Sequence, residues 1–95
     1  MISTHVLDTE RGRPAAGVKV ELYRGQELVA AKETDEDGRI QDLAGELEAG
    51  DYRLVFFPPS SPFFKRVEIE IAVDGGRLHV PLLLAPYSCT TYRGS

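Results

Sequence analysis

Apolar and polar residues alternate with period two along most of this chain, as they do where a strand buries one face and wets the other. Val18, Val20 and Leu22 alternate with Lys19, Glu21 and Tyr23, and Val67, Ile69, Ile71 and Val73 with Glu68, Glu70 and Ala72. The same pattern predicts strands over residues 2–7, 27–33, 51–57 and 77–84, and a weaker one over 89–93. Turn-forming clusters separate them: Arg13-Pro14, Arg24-Gly25, Asp35-Glu36-Asp37-Gly38, Ala49-Gly50-Asp51, Pro58-Pro59-Ser60-Ser61-Pro62 and Asp74-Gly75-Gly76. Many short strands at this spacing imply an all-β protein, an antiparallel sandwich or barrel. The only helix-like segment, Ala44 to Ala49, is very short.

The alternation also orients the two histidines. Leu78, Val80, Leu82 and Leu84 form the natural core face of their strand, so Arg77, His79, Pro81 and Leu83 take the other. In the first strand Ile2, Thr4 and Val6 oppose Ser3, His5 and Leu7. Both histidines therefore point away from the sandwich core. Leu7 and Leu83 share that outer face, and apolar residues there predict a second subunit covering it. Pro81 cannot donate to a ladder, so its strand is expected to be irregular there.

Composition narrows the picture. A chain of 95 residues fits a single domain over 1–95, with modest intrinsic stability. The single cysteine, Cys89, rules out an intrachain disulfide, and no Cys/His pairs have zinc-ligand spacing. Oligomerisation is the stabilising device left. A net charge of −4 with scattered basic residues disfavours nucleic acid. No apolar run reaches membrane-spanning length. A free thiol and an N-terminus without signal-peptide pattern point to a reducing intracellular compartment.

Candidate chemistry is sparse. His5 and His79 are the only histidines, and imidazole is the side chain most ready to change protonation near neutral pH. Arg39 follows the Asp35–Gly38 turn, and its fork of donors suits a planar carbonyl or urate-like anion. The segment Tyr87 to Ser95 is rich in hydroxyls and ends in Tyr92-Arg93-Gly94-Ser95, a set that could line a pocket for a polar ring. Taken singly, each has a plain structural reading: a surface histidine, an edge arginine paired with carboxylates, a polar tail. Cys89 reads as an inert, partly buried thiol. There is no Gly-x-Ser-x-Gly elbow and no phosphate-binding glycine loop.

Taken together, four segments resemble the 5-hydroxyisourate hydrolases, the enzymatic branch of the transthyretin-like family. They are Ile2-Ser3-Thr4-His5-Val6-Leu7-Asp8 with Gly12 to Val18, Thr34 to Arg39, Leu78-His79-Val80-Pro81-Leu82-Leu83-Leu84 running into Ala85-Pro86-Tyr87, and the terminal Thr91-Tyr92-Arg93-Gly94-Ser95. The terminal tetrapeptide is the most specific, since it looks like the signature that separates the hydrolases from hormone-carrying transthyretin. The resemblance implies a prealbumin-like two-sheet antiparallel β-sandwich, assembled as a homotetramer, a dimer of dimers with active sites in the channel between dimers. It implies hydrolysis of 5-hydroxyisourate to 2-oxo-4-hydroxy-4-carboxy-5-ureidoimidazoline, a step from urate towards allantoin. No metal or organic cofactor is implied, no nucleic-acid or membrane partner, and a cytoplasmic location. His5, Arg39 and His79 fall on the family's catalytic positions, and Tyr92, Arg93, Gly94 and Ser95 on its substrate-binding ones.

The chain departs from the family pattern in places. Leu78 and Cys89 stand where aromatics are common, and Ala85 where serine is common. The Phe57–Phe63 connection is shorter than the family's, so the short helix expected there is reduced or lost. Two other readings remain. The strand-and-turn pattern also looks like the carboxypeptidase-regulatory and collagen-adhesin B-type modules, non-catalytic sandwiches that leave the His5, His79 and terminal segments unaccounted for. A transthyretin-like carrier would use the same channel for a small ligand, without catalysis.

Overall fold

The computed structural model describes residues 1–95. Ten strands run in chain order: β1 (Ile2–Asp8), β2 (Arg13–Pro14), β3 (Lys19–Arg24), β4 (Glu27–Glu33), β5 (Arg39–Ile40), β6 (Gly50–Phe57), β7 (Val67–Val73), β8 (Leu78–His79), β9 (Leu82–Leu84) and β10 (Cys89–Thr91). They form two sheets. One is four-stranded and wholly antiparallel, in the order β4-β3-β6-β7. The other is six-stranded, with β1 at its centre. Antiparallel β2 and β5 pair with β1. Parallel β8 and β9 pair with it too, and β10 closes antiparallel on β9. The alternation allows a sandwich or a barrel, and the structure is the two-sheet sandwich that the family resemblance implies, with a local parallel pairing that strand patterns do not reveal.

The core lies between the sheets. Val20, Leu22, Leu54 and Phe56 from one meet Ile2, Val6 and Leu82 from the other, all essentially without exposed surface. Removing any of the larger of these side chains would cost about 2–5 kcal/mol. The strand β4 is exposed along almost its whole length, and Glu27, Lys32 and Glu33 put charge on this edge, which discourages pairing with another chain.

The structure differs from the sequence reading in three segments. The predicted strand over 77–84 is two short strands, because Pro81 interrupts the ladder as expected. The predicted strand over 89–93 ends at Thr91. The segment 44–49 is not helical: Gly45 takes a left-handed φ of +69°, which a right-handed helix cannot hold, while Asp42 Oδ1 accepts the Gly45 N–H and the Glu48 carbonyl accepts from the Tyr52 hydroxyl. Buried Leu43 anchors the loop, its N–H donating to the Ile2 carbonyl. No helix occurs in the Phe57–Phe63 connection either, where Ser61 Oγ accepts the Phe64 N–H across a tight turn.

Candidate functional site

The site is assembled on the outer face of the six-stranded sheet, and β1 organises it. Ser3 and His5 are two residues apart on β1, on the face opposite buried Ile2, Thr4 and Val6. On one side, β5 places Arg39 directly across from His5. On the other, β8 places His79 directly across from Ser3. Three adjacent strands thus carry Arg39, Ser3 with His5, and His79 abreast, at about 4.8 Å per strand.

Local sequence explains each placement. Arg39 is delivered by the turn at 35–38. Asp35 Oδ1 accepts the N–H groups of Asp37 and Arg39, and the Asp35 carbonyl accepts from Gly38. Gly38 has φ +72°, and a Cβ there would lie 2.5 Å from the Val6 carbonyl oxygen. Only glycine lets the turn close this tightly on β1. His79 is fixed by ladder bonds on both sides: Leu78 N–H donates to the Met1 carbonyl and Val80 N–H to the Ser3 carbonyl.

The C-terminal segment reaches the same place. Gly94 pairs with His79, its N–H donating to the His79 carbonyl at 2.7 Å. A Cβ on Gly94 would come within 2.5 Å of His79 Cδ2, so the missing side chain is what allows the chain to lie against the imidazole. The ring is gripped on two sides, with Ser3 Oγ 2.9 Å from Nδ1 and Gly94 against Cδ2. The distal edge, Cε1 and Nε2, is the part left unengaged.

Two adjoining depressions open over this row. One, of about 650 Å³, is walled by Ser3, Arg39, Gln41, Asp42, Arg77 and His79 among others. The second, of about 400 Å³, shares Ser3, Arg39, Arg77 and His79 and adds Gly94 and Ser95. His5 sits beside them and does not form their walls. Tyr92 and Arg93 line a different, mainly apolar depression with Ile69, Ile71, Leu78 and Val80, and Tyr92 is 54% exposed. The structure therefore brings Arg39, His79, Gly94 and Ser95 together, keeps His5 adjacent, and turns Tyr92 and Arg93 outwards. Ser3 and Arg77 were not singled out from sequence, although each lies two residues from a histidine on the same alternating face.

The walls carry two guanidinium groups, Arg39 and Arg77, and one carboxylate, Asp42. None of the chain's ion pairs involves Arg39, Arg77, His5 or His79. Burial pushes the His79 pKa below its ordinary 6.5, and the charge of Arg39 and then that of His5 push it the same way. A neutral imidazole at neutral pH can accept a proton. Unpaired guanidinium groups can hold a carbonyl oxygen as it gains negative charge. No cluster of three or more His, Cys, Asp or Glu side chains is placed to hold a metal ion. Cys89 packs against the core on β10, across from Leu84, and belongs to none of the walls described.

Comparison with known proteins identifies the family that shares this fold. Residues 2–94 match the family model described as the HIUase/Transthyretin family. The chain is 39% identical to 5-hydroxyisourate hydrolase 2 of Rhizobium meliloti, over 99% of this chain and 95% of that protein. That alignment spans 114 positions against 95 residues here, so the relative carries residues this chain lacks. Among solved structures, 5-hydroxyisourate hydrolase of Klebsiella pneumoniae superposes with a TM-score of 0.92 at 37% identity, covering 99% of this chain and 98% of that one. Sea bream transthyretin, solved with thyroxine, gives 0.89 at 27% identity, covering 98% and 93%. The chain belongs to the HIUase/Transthyretin family.

Proposed function

We propose that this member of the family is a 5-hydroxyisourate hydrolase, opening the six-membered ring of its substrate to give 2-oxo-4-hydroxy-4-carboxy-5-ureidoimidazoline. The observation that carries this reading is the row Arg39–His5/Ser3–His79–Gly94 around one depression, cationic and without ion pairs. The match to hydrolases along the whole chain supports the same substrate.

In this mechanism the substrate ring lies in the depression with a carbonyl oxygen towards Arg39. His79 takes a proton from water as the water oxygen bonds to the ring carbonyl carbon. Arg39 offsets the charge that collects on the carbonyl oxygen. The carbon–nitrogen bond then breaks, and the proton held by His79 passes to the departing ring nitrogen, leaving a carboxylate. His5 orients the water or the ring from beside the depression. Gly94 and Ser95 close the rim, and Tyr92 and Arg93 take up their substrate-binding role once a neighbouring subunit shapes the channel.

The working assembly in this reading is a dimer of dimers in the cytoplasm. Leu7 and Leu83 are register partners on the outer face, next to the catalytic row, and a second copy would cover them. No helix is long and apolar enough to cross a membrane. Light scattering on the eluted protein should give the mass of four chains.

The reaction is tested by running it in ¹⁸O-labelled water. One labelled atom should enter the product carboxylate at a rate that rises with protein concentration. A rate independent of protein would leave the chain as a carrier in the manner of transthyretin.

A further inference from the structure

Ser3 has no step in the mechanism above, yet it makes the one side-chain hydrogen bond to the His79 ring. Its position follows from the parallel pairing of β1 with β8, which sets Ser3 and His79 side by side. Ser3 Oγ is 2.9 Å from His79 Nδ1 and also donates to the Leu78 carbonyl at 3.5 Å. A hydroxyl has one proton to give. Which of the two donates at 2.9 Å is set by the ring's tautomer: a ring that acts as a base at Nε2 carries its proton on Nδ1, and the hydroxyl then accepts from Nδ1 and turns its own proton to the Leu78 carbonyl.

We propose that Ser3 is a positioning residue for the hydrolysis: its hydroxyl holds the His79 imidazole in the Nδ1–H tautomer and leaves Nε2 with a free lone pair to take the proton from water. This rests on the hydrolase reading above. The other neutral tautomer would carry its proton on Nε2 and could not act as a base there. Gly94, against Cδ2 on the other flank, fixes the ring plane. Ser3 fixes where the proton sits. Depression of the His79 pKa by burial, Arg39 and His5 keeps the ring neutral, the only state in which a choice of tautomer matters.

The test reads the ring nitrogens of His79 by ¹⁵N NMR at neutral pH, in the full chain, with His5→Gln used to assign the two histidines. Wild type should show Nδ1 protonated and Nε2 with its lone pair free. In Ser3→Ala the two nitrogens should move towards averaged shifts. Its kcat should fall by about tenfold to a hundredfold, part of what a general base contributes, with KM within about twofold. Ser3→Thr, which keeps the hydroxyl, should recover most of both signals. A wild-type ring protonated on Nε2 overturns the proposal, and so does Ser3→Ala with unchanged kcat. The wild-type spectrum does not depend on the Ser3 variants, so a Ser3 variant that fails to fold leaves the proposal testable. Wild-type protein that does not hydrolyse 5-hydroxyisourate refutes the function instead, while the spectrum still decides whether Ser3 sets the ring.

Discussion

Each sheet carries a polar cluster on its outer face, and the two are built to opposite ends. On the four-stranded sheet, Lys19 pairs with Glu21 at 3.3 Å, and Tyr23 donates to Glu21 at 2.9 Å. Arg53 and Arg66 both reach Glu68, and Arg53 also lies over the Tyr23 ring. Lys19, Glu21, Arg53, Arg66 and Glu68 are thus paired with one another. The hydrogen bond from Tyr23 lowers the pKa of Glu21, so the neighbours favour its charged form. On the six-stranded sheet, Arg39, Arg77, His5 and His79 have no carboxylate partner, and the neighbours of His79 disfavour its charge. The first cluster pairs its charges among its own members, with Arg53 Nε alone left without a partner. The second is left cationic around a depression, which is what a site needs if its partner is a substrate.

Substitutions can break this contrast at either end. The largest effect belongs to His79→Ala: turnover should fall by about a thousandfold, within the range set by losing a general base, while circular dichroism stays unchanged. Near-normal turnover would remove His79 from the mechanism. Arg39→Gln comes next, with kcat lower by about a hundredfold from lost charge stabilisation. It also has a sign that can be checked. In wild type the acid limb of the rate profile should lie below pH 6.5, because the base is lost only as His79 protonates. Removing the Arg39 charge should move that limb upwards, and no movement would separate the two residues.

Gly94→Ala sharpens the comparison in a smaller way. The new methyl must displace either the His79 ring or the C-terminal segment. Activity should drop about tenfold, as for a modest misplacement of a catalytic group, with only a slight change in melting temperature. Full activity would mean that the segment does not hold the ring. Smallest of all is Glu21→Gln on the opposite face. It should lower the melting temperature slightly, most clearly at low salt, and leave turnover as it was. A large loss of turnover would mean that the two faces are coupled.

Much of this architecture was legible in the sequence because period-two alternation is a direct print of burial. It placed Val20, Leu22 and Leu82 inside and both histidines outside, as the structure has them. Pro81 announced its own break. What alternation cannot report is which strand lies beside which. That His5 faces Arg39, and that Ser3 faces His79 across a parallel pair, follow from long-range register, and a single sequence carries no local signal for it. The same limit hid Ser3, an ordinary serine until its neighbour is known. The 44–49 segment misled for a different reason. Its composition suits a helix, but Gly45 near its start takes a left-handed φ of +69°, which a right-handed helix cannot hold. The terminal tetrapeptide was recognised as a unit, yet the fold divides it, with Gly94 and Ser95 at His79 and Tyr92 and Arg93 on the neighbouring apolar depression.

The most direct test of the central claim is the ultraviolet decay of 5-hydroxyisourate, generated from urate by urate oxidase, on adding the purified chain. The account predicts decay that accelerates in proportion to wild-type protein and equally with Glu21→Gln, and that returns to the spontaneous rate with His79→Ala. Spontaneous decay in the presence of folded wild-type protein would contradict it, and the cationic row on the six-stranded sheet would then be a binding surface without hydrolysis.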